Sequence, residues 1–313
     1  MLTVGLDLGG TKVLGVLVDA AGAVLAQDRI ATPTTADALI DGLGSLAESL
    51  AGGEPIDAVG VGAAGMITLD GAVTYGPNVV AFREGFPLRA LLHERVGLPV
   101  AVDNDANAAA WGEVVHGAVA GVRDALVITL GTGIGAGIVA DGHPYRGAHG
   151  YAAEVGHFQV IENGPMCACG VPGHWEAMAS GTALGRMARE AAASGRLAAA
   201  VELAGGEPQT VRGEHVAEAV RAGDGEALAL LTEYAGWVAV GLAGLTNILD
   251  PEVIVIGGGL IEMGETLLGP IREAFWRGVE APTLRERVDI VVASLGVEGG
   301  AIGAAAMARD LVT

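Results

Sequence analysis

The sequence is poor in basic side chains, and this shortage excludes whole classes of partner. Its 313 residues contain 17 Lys and Arg against 37 Asp and Glu, which gives a formal net charge of −20. A chain this acidic is repelled by nucleic acids and by anionic membrane surfaces, so we expect neither as a partner. Small phosphates can still bind, because backbone N–H groups and helix N-termini need no net positive charge to hold an anion.

Cysteines and long apolar runs are also scarce. The two cysteines, Cys167 and Cys169, stand one residue apart, and a disulfide between them would close a strained ring. The N-terminus lacks the basic segment and apolar stretch of a signal peptide. The longest uncharged stretches, Ala125–Ala140 and Tyr234–Leu249, are shorter than the ~20 residues that span a bilayer. These features predict a reduced, cytoplasmic protein.

Apolar residues and glycine, by contrast, are abundant. Hydrophobic residues make up 51% of the chain but aromatic residues only 4%, so small aliphatic side chains must form the core. The 51 glycines follow no fixed period and lie between short apolar runs, which favours tight turns and phosphate loops. The length is sufficient for two α/β domains, each with its own core.

One pattern of short strands occurs twice, about 120 residues apart, which indicates an internal duplication. The first copy comprises predicted strands at Leu2–Leu8, Lys12–Val18 and Ala23–Ile30, and the second comprises Ala125–Leu130, Gly135–Ala140 and His143–Tyr145. Further strands are predicted at Ala58–Gly62, Val100–Val102, Val253–Ile256 and Val288–Ala293, and helices at Thr35–Leu50, Ala106–His116, His174–Ser194, Gly225–Leu249, Ile261–Arg277 and Gly300–Leu311. No low-complexity linker separates the halves, which favours a hinge over a tether.

The first strand pair of each copy is joined by a glycine-rich turn. In the first turn Asp7 precedes Gly9, Gly10, Thr11 and Lys12, and a carboxylate there can hold Mg²⁺ while the glycines let a polyphosphate approach the backbone. The second turn, Thr129–Gly137, includes Gly131, Thr132 and Gly133. It lies between two strands, so it is neither a dinucleotide fingerprint nor a Walker A loop. Either turn alone is also compatible with a plain hairpin; two opposed turns predict a phosphate clamp.

A third glycine-rich turn, with Gly257 and Gly258, follows the buried strand Val253–Ile256. Bare backbone at such a position allows a nucleotide base or ribose to lie flat against it. A sharp strand-to-helix turn without ligand is an equally good reading of these residues.

Polar residues from Asp103 to Asn107 follow another apolar strand. Such side chains sit badly in a core, and strand ends that face a cleft are where open α/β sheets bind ligands. Asp105 can accept the proton of a sugar hydroxyl as that oxygen attacks a phosphoryl group. The alternative is helix capping by Asn104 or Asp105.

Two thiols and two imidazoles lie close together in the sequence at His157, Cys167, Cys169 and His174. These are the ligand types of a tetrahedral zinc site, although the spacing is not that of a common zinc finger. Free thiols beside surface histidines are the alternative.

Taken together, these motifs resemble the ROK family of sugar kinases and repressors, and most closely its bacterial glucokinases. The resemblance rests on Asp7–Lys12, Leu130–Gly135, Asp103–Glu113, Glu154–His157 and the Cys-x-Cys-Gly run, and it covers essentially the whole chain. It implies a duplicated, actin-like (ribonuclease-H-like) α/β fold with two domains around a cleft. We expect residues 1–118 with 300–313 to form the small domain and residues 119–299 the large one.

The resemblance also implies the reaction and the site. The expected activity is ATP-dependent, Mg²⁺-assisted phosphorylation of a hexose 6-hydroxyl, with glucose first and fructose, mannose, N-acetylglucosamine or N-acetylmannosamine as alternatives. Asp105 would be the catalytic base, and the sugar would be held by Gly65, Asn78, Asn104, Asp105, Glu154, His157 and Glu176. A homo-oligomer, dimer or tetramer, is expected. A sugar-sensing repressor is the rival, but no helix-turn-helix precedes the first strand.

The sequence departs from the family pattern at His174, where members usually have a third cysteine. Imidazole is an ordinary zinc ligand, so a structural zinc ion is still expected at His157, Cys167, Cys169 and His174. Phe82, where members often have Trp, is a smaller departure.

Overall fold

Two five-stranded sheets with the same internal strand order form the frame of the molecule. The computed structural model describes residues 1–82 and 85–313. Within these residues the strands are β1 (Leu2–Leu8), β2 (Lys12–Asp19), β3 (Val24–Ala31), β4 (Ala58–Ala63), β5 (Met66–Ile67), β6 (Val73–Tyr75), β7 (Val100–Asn104), β8 (Ala125–Leu130), β9 (Ile134–Ala140), β10 (His143–Pro144), β11 (Val253–Gly257) and β12 (Asp289–Val292). The α-helices are α1 (Ala36–Ala51), α2 (Leu88–Val96), α3 (Asp105–Val115), α4 (Trp175–Ala179), α5 (Gly181–Ala193), α6 (Ala198–Leu203), α7 (Gly213–Arg221), α8 (Gly225–Leu249), α9 (Glu265–Phe275) and α10 (Gly299–Arg309).

The two sheets share one topology. The first has the order β3-β2-β1-β4-β7 and the second β10-β9-β8-β11-β12. In each, an antiparallel meander is followed by one strand that pairs parallel to its first strand and by another that pairs parallel to that added strand. The central strands also have equivalent partners. Gly5 on β1 pairs with Val16 on β2 and Gly60 on β4, and Val127 on β8 pairs with Gly137 on β9 and Val255 on β11. This correspondence confirms the predicted duplication.

Helices α3 and α10 lie between the two sheets and join them. Helix α10 packs on β1 and β4 of the first sheet, whereas α3 packs on β8 and β9 of the second. The two helices also pack closely on each other, and a methyl group at Gly303 would overlap the backbone of Ala108. The absence of a Cβ therefore allows the backbones to approach, and the N-terminus of α3 is placed at the junction of the sheets.

Two predicted helices are each divided in two. The stretch predicted as one helix from His174 to Ser194 breaks at Ser180, whose extended backbone ends α4 and whose side chain accepts a hydrogen bond from Ala183 N (3.1 Å) to begin α5. The stretch predicted at Ile261–Arg277 becomes a 3₁₀ helix, Gly259–Met263, and then α9 after Gly264. Gly264 has a φ of 58°, which α-helical backbone does not allow.

Each sheet with its helices forms one unit, and each unit carries an insertion between two strands of the shared frame. Between β4 and β7 the first unit inserts the β5–β6 hairpin and α2, and between β10 and β11 the second inserts α4 to α8. Among the described residues, α8 is the one helix with the length and composition of a membrane span, and 56% of its apolar window is buried in the fold. It packs against α4, α7 and α9 as the central helix of the second core.

Candidate active site

A cleft of about 800 Å³ lies between the units, where strands of both sheets end. The ends of β4 and β7 reach it from the first sheet, and those of β8 and β11 reach it from the second. Its lining carries four carboxylates, those of Asp7, Asp105, Glu154 and Glu176. Strand ends that converge on one crevice are the usual place for a ligand in an α/β sheet.

Asp105 is the first residue of α3 and faces this cleft. The preceding Asn104 caps the helix, since its side-chain oxygen accepts hydrogen bonds from Ala106 N (2.9 Å) and Asn107 N (3.2 Å). The capping hypothesis therefore applies to Asn104, and this leaves the Asp105 carboxylate directed at the cleft. Burial raises the pKa of Asp105, against the lowering effect of its hydrogen bond from Ala106 N. A raised pKa makes a carboxylate a better proton acceptor.

Asp103, two residues earlier, has a buried side chain that is paired with other side chains. Its side chain is 5% exposed and forms an ion pair with Arg146 (Nε–Oδ2 2.8 Å), which comes from the loop after β10. It also accepts a hydrogen bond from Asn107 Nδ2 (3.1 Å). Arg146 donates to Thr68 O (3.3 Å) as well. Arg146 thus ties the loop after β10 both to β7 and to the β5–β6 hairpin beside the cleft.

Asp7, on β1, faces the cleft from the first glycine turn. Burial, together with the negative charge of Asp105 and against the positive charge of Lys12, raises the pKa of Asp7 to about 6. A Cβ at Gly300 would lie 3.2 Å from Asp7 Cγ, so the start of α10 fits directly against this carboxyl group. A half-buried carboxylate that is repelled by a neighbouring one favours a cation between them.

The first turn itself is open to solvent. Gly10, Thr11 and Lys12 are exposed, and the turn is held by Thr32, which donates from Oγ1 to Gly9 O (2.7 Å) and from N to Thr11 O (3.1 Å). A methyl group at Gly10 would overlap the carbonyl oxygen of Asn78. The turn therefore contacts the cleft through the 77–78 backbone.

The second turn is enclosed by neighbouring elements. Gly131 O accepts a hydrogen bond from Gly181 N at the start of α5 (2.7 Å), and Ile134 N donates to Glu176 Oε2 (2.9 Å). A methyl group at Gly133 would overlap the Glu176 carboxylate. Glycine at this position therefore lets an acidic side chain lie directly on this turn.

The third turn and the segment that enters the last helix complete this wall of the cleft. Gly258 has a φ of 87° and packs on the backbone of Leu130, so the second and third turns lie side by side. Gly296, Val297 and Gly300, from the segment that enters α10, line the same wall. The sequence analysis did not identify these three residues; their only signal is the Gly296–Gly300 glycine cluster at the start of the final helix.

The opposite end of the cleft is lined by the two insertions. From the first unit come Gly65, Asn78 and Tyr75, and Asn104 Nδ2 donates to Gly65 O (3.0 Å). Gly65 has a φ of 135° and a methyl group there would overlap Tyr75 O, so this corner requires glycine.

Glu154 and His157 face these residues from the second unit. Glu154 is at the centre of an inverse γ-turn (φ −72°, ψ 50°) closed by a hydrogen bond from Val155 N to Ala153 O (2.7 Å). Ala153, which also lines the cleft, has a φ of 72°. Burial raises the pKa of Glu154, against the lowering effect of His157. The Nε2 atom of His157 lies 3.9 Å from Glu154 Oε2 and points to the cleft side.

The other nitrogen of His157 points to the cysteine cluster. Its Nδ1 lies 3.7 Å from Cys167 Sγ, and His174 Nδ1 lies 3.2 Å from Cys169 Sγ. All four ligand atoms are within 4.8 Å of one another. Bond lengths of about 2.0–2.3 Å to a tetrahedral zinc ion put ligand atoms about 3.3–3.8 Å apart. The donor set is therefore that of a zinc site, and the two shorter separations, 3.7 and 3.2 Å, are close to this spacing.

The cluster is joined to the cleft through Glu176. Cys167 Sγ donates to Glu176 Oε1 (3.4 Å), and burial raises the pKa of the Cys167 thiol to about 11. Glu176 stands in the first turn of α4, which Trp175 anchors: its ring is fully buried and Nε1 donates to Trp237 O (2.9 Å). One carboxylate thus connects the second glycine turn to the cysteine cluster.

The residues singled out from the sequence fall into two groups. Those that line the cleft are Asp7, Gly65, Asn78, Asn104, Asp105, Gly131, Gly133, Glu154, His157, Cys169, Glu176 and Gly258. Those that do not line it are Gly9, Gly10, Thr11, Lys12, Thr132, Gly257, Cys167 and His174.

Comparison with known proteins agrees with this architecture. The ROK family profile matches residues 3–311. A glucokinase from Streptomyces coelicolor is 41% identical over 312 residues, 99% of this chain and 98% of that protein. A crystal structure of a ROK family glucokinase from Streptomyces griseus, in complex with glucose and AMPPNP, is 40% identical with a TM-score of 0.84 and covers 99% of this chain and 100% of that chain.

A second structure, the ROK hexokinase from Thermus thermophilus, is 35% identical with a TM-score of 0.82 and covers 100% of this chain and 99% of that chain. These similarities extend over both units and confirm the predicted actin-like fold. The protein belongs to the ROK family.

Proposed function

We propose that this protein is an ATP-dependent glucokinase that transfers the γ-phosphoryl group of ATP to the 6-hydroxyl of glucose. The observation that carries the proposal is the placement of Asp105 in one cleft with the second and third glycine turns on one side and with Glu154 and His157 on the other. Full-length similarity to glucokinases supports glucose over other hexoses as the acceptor.

On the donor side, the backbone of the two opposed glycine turns and Gly258 would hold the nucleotide. Asp7 would bind Mg²⁺, directly or through water, and the bound ion would supply charge neutralisation at the phosphates. Thr11 and Lys12 are exposed on the first turn, and their hydroxyl and ammonium groups would contact phosphates that extend from the cleft. Backbone contacts account for phosphate binding by so acidic a chain.

On the acceptor side, sugar hydroxyls would be held by the backbone of Gly65 and by the side chains of Asn78, Asn104, Glu154 and His157, with Glu176 behind them. Asp105 accepts the proton of the 6-hydroxyl as that oxygen forms its bond to the γ-phosphorus. The bond from the γ-phosphorus to the bridging oxygen breaks, and ADP leaves. The raised pKa of Asp105 suits this role.

The cysteine cluster would hold a structural zinc ion through His157, Cys167, Cys169 and His174. The ion takes no part in the transfer. If His157 held the ion through Nδ1, its Nε2 would carry the proton that it could donate to a sugar hydroxyl, and the tautomer would be fixed. Coordination of the ion by His157 would also anchor the loop that carries Glu154.

The units that enclose the ligands are proposed to be residues 1–118 with 300–313 and residues 119–299. Closure of the cleft would exclude water, which otherwise competes for the γ-phosphoryl group. Because the reaction uses ATP and the chain keeps free thiols, we place the enzyme in the cytoplasm. We also propose a homo-oligomer, as a dimer or tetramer.

A panel of hexoses tests the proposal. Purified protein is assayed with ATP and Mg²⁺ against glucose, fructose, mannose, N-acetylglucosamine and N-acetylmannosamine, with ADP release as the readout. We expect the largest kcat/KM with glucose and formation of glucose 6-phosphate. A larger kcat/KM with another hexose would reassign the acceptor, and ADP release that is independent of any sugar would contradict the kinase assignment.

A further inference from the structure

The carboxylate of Glu113 is buried far from the reacting groups, and the mechanism above does not use it. Glu113 is in the last turn of α3 and is 3% exposed. Its two oxygens accept hydrogen bonds from four donors: Ala118 N (2.7 Å), Ser294 N (2.9 and 3.1 Å), Ser294 Oγ (3.2 Å) and Leu295 N (2.9 Å). So many donors on one buried side chain match an ionised carboxylate, which accepts only.

These donors belong to the two segments by which the chain passes between the units. The first crossing, residues 116–124, leads from α3 into the second sheet, and it contains Ala118. The return crossing, residues 293–298, leads from β12 into α10, and it contains Ser294 and Leu295. One side chain therefore connects both crossings to the end of the helix whose first residue is Asp105.

The return crossing also forms part of the cleft wall. Gly296 and Val297 line the cleft directly after Leu295, and Gly300 fits against the Asp7 carboxyl group. A shift of the crossing would move the nucleotide side of the cleft relative to Asp105. Hinges are a few residues at element ends, away from the chemistry, and their substitution often changes kcat and KM together.

We propose that Glu113 is the positioning residue of the hinge: its carboxylate fixes both crossings to α3 and so sets how the two units close around glucose and ATP. The proposal rests on the proposed kinase function, because the closed state is the one in which phosphoryl transfer takes place. A role in folding alone would lower stability without altering how well closure excludes water.

The test compares Glu113→Gln with wild type. Gln has the same shape, but its NH₂ group must face an N–H donor, so at least one crossing loses its bond. We expect kcat/KM for glucose to fall on the order of 10- to 100-fold, with kcat and KM both affected, since small misplacements have effects of this size. We also expect more ATP hydrolysed per glucose 6-phosphate formed. The exposed Glu94→Gln variant on α2 is the matched control and should behave as wild type.

A lower melting temperature with unchanged kcat, KM and hydrolysis ratio would overturn the proposal, because that pattern belongs to a purely structural residue. If Glu113→Gln does not fold, amide hydrogen exchange on the wild-type protein decides. The amides of Ala118, Ser294 and Leu295 should stay protected with and without glucose and AMPPNP, while residues 296–297 gain protection. If, without ligand, the amides of Ala118, Ser294 and Leu295 exchange as fast as those of residues 296–297, the proposal is also overturned. Absence of sugar-dependent turnover in wild type refutes the proposed function, whereas the exchange result still tests the hinge.

Discussion

The two units have the same sheet but build different halves of the site. In both, the ends of the parallel strands reach the cleft, but the turn after the first strand lines it only in the second unit, through Gly131 and Gly133. The first unit leaves its turn exposed and contributes Asp7 and Asp105, each at the end of a frame strand or the start of a frame helix. The second unit encloses its turn between α5 and Glu176.

The insertions account for this difference. The second insertion brings α5 and Glu176 to the second glycine turn, and it brings Glu154 and the cysteine cluster to the cleft. The first insertion contributes mainly backbone and the side chain of Asn78, which follows the β5–β6 hairpin. Backbone strain follows the same division. Within the described residues, every non-glycine residue with positive φ belongs to the second half: Asp141, Ala153, Leu197, Asp250 and Ala281. On the proposed assignment, the duplicated frame supplies Asp7, Asp105 and the glycine turns, and the second insertion supplies three of the proposed sugar contacts, Glu154, His157 and Glu176.

The largest expected effect comes from the frame of the first unit. Asp105→Asn removes the proton acceptor but keeps the shape of the side chain and its position at the start of α3. We expect kcat to fall by ~10²–10⁴-fold, the usual contribution of a general base, with little change in glucose affinity. Steady-state kinetics measure kcat, and isothermal titration calorimetry measures glucose affinity separately. Near-normal turnover would contradict the assignment of Asp105 as the base.

Asp7→Asn should remove the Mg²⁺ ligand and lower kcat/KM by roughly 10²-fold, about 3 kcal/mol of transition-state stabilisation. The same change should stabilise the metal-free fold. Because the folded-state pKa of Asp7 is about 6 against 3.8 for the ordinary group, the native state binds the extra proton between these values and loses stability as pH rises through 6.

Asn does not titrate, so the stability advantage of Asp7→Asn should be absent below pH 4 and reach about 3 kcal/mol above pH 6. Urea unfolding in chelator at a series of pH values measures it. If the unfolding free energies of the two proteins depend on pH in the same way, the pKa of Asp7 is not raised in the folded protein.

The frame strands and most candidate site residues are predictable from the sequence, whereas the return to the last helix and the helix break at Ser180 are not, for a physical reason. Strands β1, β2, β8 and β9 alternate or run apolar and are followed by glycine-containing turns, so they are predictable from local pattern, and Asp105 directly follows another apolar strand. The wall formed by Gly296 and Val297 depends on the chain returning from β12 to α10, which is a tertiary event. The break at Ser180 was missed because apolar spacing continues across it, although a serine cap is visible there.

Removal of metal should affect the second insertion alone. We expect one zinc ion per chain, and loss of it through chelation or Cys169→Ser should raise the KM for glucose roughly 10-fold, since His157 and Glu154 lose their anchor. The KM for ATP should hardly change, because the ATP side is formed by frame turns. Met166→Ser, at an exposed position in the same loop, is the control. Metal analysis that finds no zinc, or an equal rise in both KM values, would contradict this division.

The smallest effect concerns strain at Ala153, the positive-φ alanine next to Glu154. Left-handed backbone costs alanine about 1–2 kcal/mol, whereas glycine adopts it freely but loses about 0.5–1 kcal/mol through the unfolded state. Ala153→Gly should therefore be neutral to stabilising, by up to about 1 kcal/mol. The neighbour Ala152 lines the same cleft without positive φ, so Ala152→Gly should be destabilising by about 0.5–1 kcal/mol. Thermal unfolding of the pair isolates the backbone term, because both variants remove one methyl group from one loop. If the two alanines respond alike, Ala153 is relaxed in its turn, and the orientation of Glu154 must be set by His157 and the cysteine cluster instead.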